Sequence, residues 1–162
     1  MISLDEIRRS LRSGDPSVLV GEFESEMLEC KGQPYLLDTD RQKMELAKDV
    51  SALANVQGGV ILMGFATTLD SIHGEERIEL IRAFDKALLD PQRYRQVLAD
   101  WLWPPIHDLE IQWYEAPTCP GKGVAAIFVP RADGLDRPVL IAKTILDGAK
   151  RAEIVFGYCE RR

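Results

Sequence analysis

The stretch TDRQKMELAKDVSALANVQGGVILMGF, Thr39 to Phe65, decides the fold. It opens on Thr39-Asp40-Arg41-Gln42, which fits a capping box: the threonine hydroxyl and the glutamine side chain satisfy backbone groups that a helix start leaves free. Behind it Met44, Ala47, Val50 and Ala54 recur at helical spacing, widened by Leu46 and Leu53. Arg41, Lys43, Glu45, Lys48 and Asp49 fall largely outside that stripe. The pattern predicts an amphipathic helix from Asp40 to Val56 that stops at Gly58-Gly59, where left-handed or tightly packed backbone costs little. Val60-Ile61-Leu62-Met63-Gly64-Phe65 then runs apolar without a break, as a fully buried central strand does.

Upstream, Ile2, Leu4, Ile7 and Leu11 share one face of a short helix over Ser3 to Arg12, with Ser3 as N-cap and Gly14 as C-cap. Asp15-Pro16 marks a turn, and Leu28-Glu29-Cys30-Lys31 alternates as a strand with Leu28 and Cys30 facing a core. Downstream, Glu75 to Leu89 and Pro91 to Leu102 read as two helices broken at Asp90-Pro91 and ended by Trp103-Pro104-Pro105. Strand-like runs follow at Leu109 to Tyr114, Gly123 to Val129 and Ile154 to Tyr158, with a shorter one at Val139 to Ala142. Pro117 through Gly123 is the expected hairpin loop. Helices alternate with strands early and strands dominate late, so the class is mixed α+β, a largely antiparallel sheet with helices packed on it.

At 162 residues the expectation is one domain, and 46% apolar with 28% charged residues exclude collagen-like, coiled-coil and disordered chains. The 26 acids and 20 bases leave a net charge of -6. A surface that grips nucleic acid all over is basic, so such a partner has to meet a local patch. Bases gather at Arg41, Lys43 and Lys48, at Arg77, Arg82, Lys86, Arg93 and Arg95, and at the end, where Lys143, Lys150, Arg151, Arg161 and Arg162 face three acids. That terminal group is the candidate phosphate-tracking patch, with a plain solvated face as the alternative. Cys30, Cys119 and Cys159 are far apart, as expected of free thiols in a reducing cytoplasm. The N-terminus lacks the features of a signal peptide, and no apolar run is long enough to span a bilayer, so a cytoplasmic protein without a membrane partner is expected.

Glu22, Glu24, Glu26 and Glu29 crowd into eight residues. Such carboxylates repel unless a cation joins them, and hard oxygen ligands suit magnesium or manganese; a solvated acidic loop is the alternative. Glu29 and Lys31, two apart on a strand, share a face, as metal-dependent nucleases arrange a ligand and a phosphate-stabilising lysine. Glu24 and Glu29 converge only if a turn lies around Ser25 to Met27. ATP is not expected: Gly58-Gly59 precedes a strand where a dinucleotide fingerprint follows one, and Gly121-Lys122-Gly123 lacks the Walker spacing. His73 and His107 read as loop histidines. Trp101, Trp103 and Trp113 could stack bases, but Trp101 shares a helical face with Leu98 and Trp113 alternates with Ile111, which favours core packing.

Two blocks carry a family resemblance. Glu24-Ser25-Glu26-Met27-Leu28-Glu29-Cys30-Lys31 resembles the E-S-x-x-x-E-F-K segment of the Schlafen family's AlbA-like domain, and Val50 to Phe65 resembles its SAFANTEGGxxxxGV signature. Lys122-Gly123-Val124, Ile127-Phe128-Val129-Pro130 and the ending Tyr158-Cys159-Glu160-Arg161 are similar to later family segments. The resemblance covers roughly residues 20 to 162, behind the N-terminal helix of residues 1 to 14. It implies a mixed α/β domain that engages RNA or DNA, and in ribonuclease members a three-carboxylate, metal-assisted site acting on structured RNA such as transfer RNA. Two of those carboxylates fall on Glu24 and Glu29, the metal ligands, with Lys31 assisting. The third falls on Thr67, so Asp70 is the candidate substitute. The alternatives are a non-catalytic nucleic-acid-binding or regulatory module, the N-terminal part of a longer regulator, and a self-associating domain that recruits a protein partner, homodimers included.

Overall fold

The computed structural model describes residues 2–147 and 151–160, with the side chains of 145–155 left out of account. The elements in chain order are α1 (Leu4–Ser13), β1 (Leu28–Lys31), α2 (Asp40–Val56), β2 (Gly59–Met63), β3 (Phe65–Leu69), β4 (Glu76–Ile81), β5 (Phe84–Asp85), α3 (Pro91–Trp101), β6 (Leu102–Trp103), β7 (Glu110–Ala116), β8 (Cys119–Val129), β9 (Leu140–Asp147) and β10 (Arg151–Tyr158). The class is the expected α+β, with antiparallel pairing everywhere except between β1 and β2.

α1 and α2 form where their caps predict. Ser3 and Thr39 each complete a capping box, with Glu6 and Gln42 respectively, and Gly14 closes α1 in the left-handed conformation. In the central sheet β1 pairs β2, β2 pairs β8, and β8 also pairs β5 and β7. The pleat divides β2 between two cores. Ile61 and Met63 join the α2 and α3 core with Val50, Leu53 and Trp101, whereas Val60 and Leu62 join Ile7, Leu11 and Phe128 beneath α1. A second sheet of order β10-β9-β6 lies against α2 and α3, and β3 with β4 makes a separate hairpin.

The junction after α2 fixes these layers. Asn55 is fully buried; its amide donates to the carbonyls of Val139 (2.9 Å) and Cys159 (2.8 Å), and its oxygen accepts from the Val139 N–H (2.8 Å). On the other side of the chain reversal, a Cβ on Gly58 would stand 2.6 Å from the Val129 carbonyl oxygen, and one on Gly59 2.4 Å from that of Met27. Gly58 also has φ 77°, which favours glycine.

Three expectations need correction. The helix read over Glu75 to Leu89 is β4, β5 and a short 3-10 turn at Lys86–Leu88. Ile78, Ile81 and Phe84 recur every three residues and imitate a helical stripe, but Asp70 folds the chain into a hairpin turn by accepting from the N–H groups of Ile72 and His73. The apolar run Val60 to Phe65 breaks at Gly64, and Phe65 enters the hairpin instead of the central sheet. The β7–β8 turn is tighter than Pro117 to Gly123, because Ala116 already pairs with Cys119.

α1 is tied to the sheet edge by Arg8, whose guanidinium donates to both Glu110 oxygens (2.8 and 3.1 Å) and lies 3.6 Å from the Phe128 ring centroid. The hydrogen bond from Arg8 holds the Glu110 carboxyl below the usual carboxylate range. A depressed carboxyl pKa contributes stability above the unfolded value and loses it as pH falls through the folded one. Arg8→Ala should therefore cost about 1–2 kcal/mol at pH 7, discounted for the partial exposure of the pair. That gap should narrow below about pH 4 as Glu110 protonates, leaving the part due to the Phe128 stack. Urea titrations of both proteins across this range check it. Gly59→Ala should cost about 3 kcal/mol or more, since its Cβ meets backbone that has no room to yield; a lower urea midpoint measures it.

Candidate functional site

The acid-rich segment meets the sheet at the free side of β1. Residues of β1 alternate in the direction of their backbone groups: the carbonyls of Met27 and Lys31 accept from Val60 and Gly64, while Leu28 and Cys30 point their N–H groups away from β2. Ser25 and Leu28 exchange backbone hydrogen bonds around a tight turn at Glu26-Met27, the turn that the spacing of Glu24 and Glu29 requires. It lays Glu24 back along the strand, where its Oε1 accepts from the Cys30 N–H at 2.9 Å. Backbone bonds Gly21 N–H to Ile78, Ile78 N–H to Glu22 and Glu24 N–H to Glu76 stitch the same segment to β4.

These bonds frame an acidic cleft of about 740 Å³, lined by Phe23 and Met27 and by Glu24 and Glu76 among other glutamates. The Thr67 hydroxyl donates to the Glu76 carboxylate. A carboxylate from the neighbouring strand thus stands beside the position where the family resemblance places an aspartate. Burial pushes the Cys30 thiol far above its ordinary pKa, and the Glu24 and Glu76 charges push it further, so Cys30 is an inert neutral thiol.

Glu29 and Lys31 lie on the other face of β1, toward α2. The Lys31 Nζ stands 2.7 Å from Glu29 and 3.0 Å from Asp49, and the Tyr35 hydroxyl donates to Asp49 at 2.6 Å. Burial holds the Tyr35 hydroxyl well above its ordinary pKa, and Asp49 adds to the shift, so it remains a donor. One ammonium therefore bridges a strand carboxylate and a helix carboxylate, which binds the edge strand to α2.

The sequence-predicted residues divide accordingly. The structure brings Glu29 and Lys31 together and turns Glu24 onto the Cys30 amide. Asp70 stays with its own loop, accepting from the Ile72 N–H (2.9 Å) and the His73 N–H (3.0 Å) and meeting the His73 ring at 3.0 Å; the His73 bonds lower its pKa. Among the described residues no three of His, Cys, Asp and Glu come together as metal ligands. The magnesium or manganese centre that the resemblance implies would draw on Glu24 and Glu29, which take different partners along β1, the Cys30 amide and the Lys31 ammonium. In the terminal patch Lys143 donates to Asp100 of α3, Arg151 begins β10 with its side chain outside the described part, and Lys150, Arg161 and Arg162 lie outside the described residues. Gly58 and Gly59 face the backbone of Val129 and Met27. Among the described residues no helix is long and apolar enough to cross a membrane.

Sequence reasoning missed Glu76 and Tyr35, gave Asp49 no partner, and placed Asn55 within the Val50 to Phe65 block, as part of its Asn-x-x-Gly-Gly run, without a role of its own. The hairpin that carries Glu76 turns at Asp70, and a false helical stripe masked it. Nothing local pairs Asp49 with Lys31, which are 18 positions apart.

No protein-family model matches the chain, and no curated protein matches it. Among solved structures it is similar to the N-terminal domain of a "Putative ATP-dependent DNA Helicase RecG-related Protein" from Nitrosomonas europaea, at 22% identity and a TM-score of 0.45, over 100% of this chain and 94% of that one.

Lys31→Met would leave Glu29 and Asp49 facing each other without their shared cation. The expected loss is roughly 2–3 kcal/mol, below the range for a fully buried pair because Lys31 retains 32% side-chain exposure. The shift of the urea midpoint at pH 7 measures it.

Proposed function

We propose that the chain is a Schlafen-type nucleic-acid-interacting domain that binds without cleaving. The observation that supports it is the meeting of the two blocks that carry the resemblance. Residues 24 to 31 and 50 to 65 are far apart in sequence, yet β1 and β2 pair in parallel with Glu29 beside Ile61, and Gly59 packs on the Met27 carbonyl. The glycine pair, the acidic segment and the strand that follows serve one joint, which accounts for their joint appearance in the sequence.

Binding is favoured over cleavage by the placement of the carboxylates. Glu24 serves the outer edge of β1, Glu29 serves Lys31 on the helix face, and Asp70 serves its loop. Lys31 is engaged by two carboxylates, which removes it from phosphate chemistry in this arrangement.

Fluorescence polarisation with labelled RNA at two salt concentrations tests the reading. Binding at low salt in the range of roughly 1–100 μM that weakens steeply with added salt is expected, as for a few phosphate contacts on a chain of net charge -6. Transfer RNA incubated with manganese and the protein should remain intact, and equally so with a Glu24→Ala/Glu29→Ala double variant. Cleavage by the native protein alone would restore the metal-dependent endoribonuclease. An absence of binding even at low ionic strength would favour a protein partner.

A further inference from the structure

Three arginines stand along one side of α1. At 3.6 residues per turn Arg8, Arg12 and Arg9 fall within an arc of about 100°, while Ile7, Ser10 and Leu11 turn the other side into the core. With Asp5 and Ser13 the arginines line an open depression of about 430 Å³. Arg8 is fixed there, because Glu110 grips its guanidinium with both oxygens and the Phe128 ring lies against it. Its neighbours are not. Arg9 and Arg12 are exposed, and among the described residues neither has a carboxylate within ion-pair distance.

The acids nearby are already engaged. Glu6 accepts from the Ser3 N–H (2.8 Å) and hydroxyl (2.7 Å) at the helix cap, and Glu110 is taken up by Arg8. Asp5 sits in the first turn, where the positive end of the helix offsets its charge. A chain with 26 acids and 20 bases has carboxylates to spare, yet none closes on Arg9 or Arg12. Arg12 stands four residues from Arg8 and three from Arg9, spacings at which helix side chains are neighbours and like charges repel. An anion in the depression removes that repulsion. A guanidinium stays charged at physiological pH and carries its donors in a planar fork that fits phosphate. A row of three suits a ligand whose phosphates also come in a row. No exposed ring stands among them to stack a base, since Phe128 is buried. The chemistry that fits is a phosphate backbone whose bases are paired away, and a duplex carries such charge more densely than a single strand.

We propose that the arginine face of α1, Arg8, Arg9 and Arg12, binds the phosphate backbone of double-stranded nucleic acid. The inference rests on the nucleic-acid reading above and gives it a surface ahead of the segments that carry the family resemblance. Arg8, held by Glu110 and Phe128, is the rigid member of the set, and Arg9 and Arg12 supply the uncompensated charge. Such contacts position a duplex without reading its sequence.

The test is polarisation with a fluorescein-labelled RNA duplex of about 20 base pairs and a single strand of equal length, over a series of salt concentrations. The wild type should bind the duplex more tightly than the single strand at low salt. Arg9→Ala/Arg12→Ala should weaken duplex binding about tenfold and flatten the slope of log affinity against log salt by about 2, one unit for each lost phosphate contact. Its urea midpoint should match the wild type, since both side chains are exposed and outside any ion pair. Arg41→Ala/Arg95→Ala removes two exposed arginines from α2 and α3 and should bind as the wild type does. Equal losses in the two double variants would show long-range attraction without a site and overturn the inference. Duplex affinity unchanged in Arg9→Ala/Arg12→Ala would overturn it while leaving the nucleic-acid reading in place, as would a single strand bound more tightly than the duplex. Co-sedimentation with phosphatidylserine vesicles that is lost in Arg9→Glu/Arg12→Glu, with duplex affinity equal to the wild type, would overturn it in favour of a lipid surface. No binding of either RNA by the wild type at low salt would overturn both readings.

Discussion

Asn55 is the residue on which the arrangement of the two sheets depends. A fully buried amide with three hydrogen-bonding sites in use leaves one orientation of α2 against the start of β9 and the end of β10. Truncating it would strand the backbone groups of Val139 and Cys159 in the interior, where each unmet bond costs about 1–3 kcal/mol. Four residues later the chain has reversed and Gly59 lies on the Met27 carbonyl. The Asn-x-x-Gly-Gly block is thus a mechanical joint. Its asparagine secures the second sheet, its glycines let the central strand start where a side chain would not fit, and the acidic cleft inherits its position from it.

The electrostatic layout follows from the same topology. Parallel pairing of β1 with β2 leaves a free edge, and the acid-rich segment fills it by folding back between β1 and β4. Acids therefore concentrate at one border of the central sheet. Lys143 of β9 and Arg151 of β10 belong to the other sheet, joined through α2. A net charge of -6 conceals this division, which is why the overall balance says little about where a polyanion could approach.

What the sequence revealed was local. Caps at Ser3, Thr39 and Asp90 are satisfied within three residues of themselves, so their helices form where the sequence places them. Trp101 and Leu98 went to the core on helical spacing, and both are buried. The hairpin of β3 and β4 was hidden because Ile78, Ile81 and Phe84 recur every three residues, a spacing that fits a helix and not the alternation of a strand, although they belong to β4 and β5. The candidate site was legible as residue types but not as geometry. Glu24, Glu29 and Lys31 were found, yet whether they meet was decided by Cys30, Asp49 and Glu76, whose contacts are set by strand pairing and helix docking. Trp103 carries no packing pattern like those of Trp101 and Trp113, and its exposure comes from the strand register after α3, which no local pattern encodes.

The hydrogen bonds along the outer side of β1 also govern how copies of the chain behave toward one another. A flat unpaired strand edge invites a neighbour to add its own strand, the first step in amyloid-like aggregation. Here Ser25 takes up the Leu28 backbone and a carboxylate oxygen of Glu24 takes up the Cys30 N–H, so the edge is closed by a turn and a negative charge instead of a strand. A second molecule arriving there meets like charge and no free N–H at Leu28 or Cys30. The acidic segment therefore protects the protein's colloidal stability whatever ligand it serves.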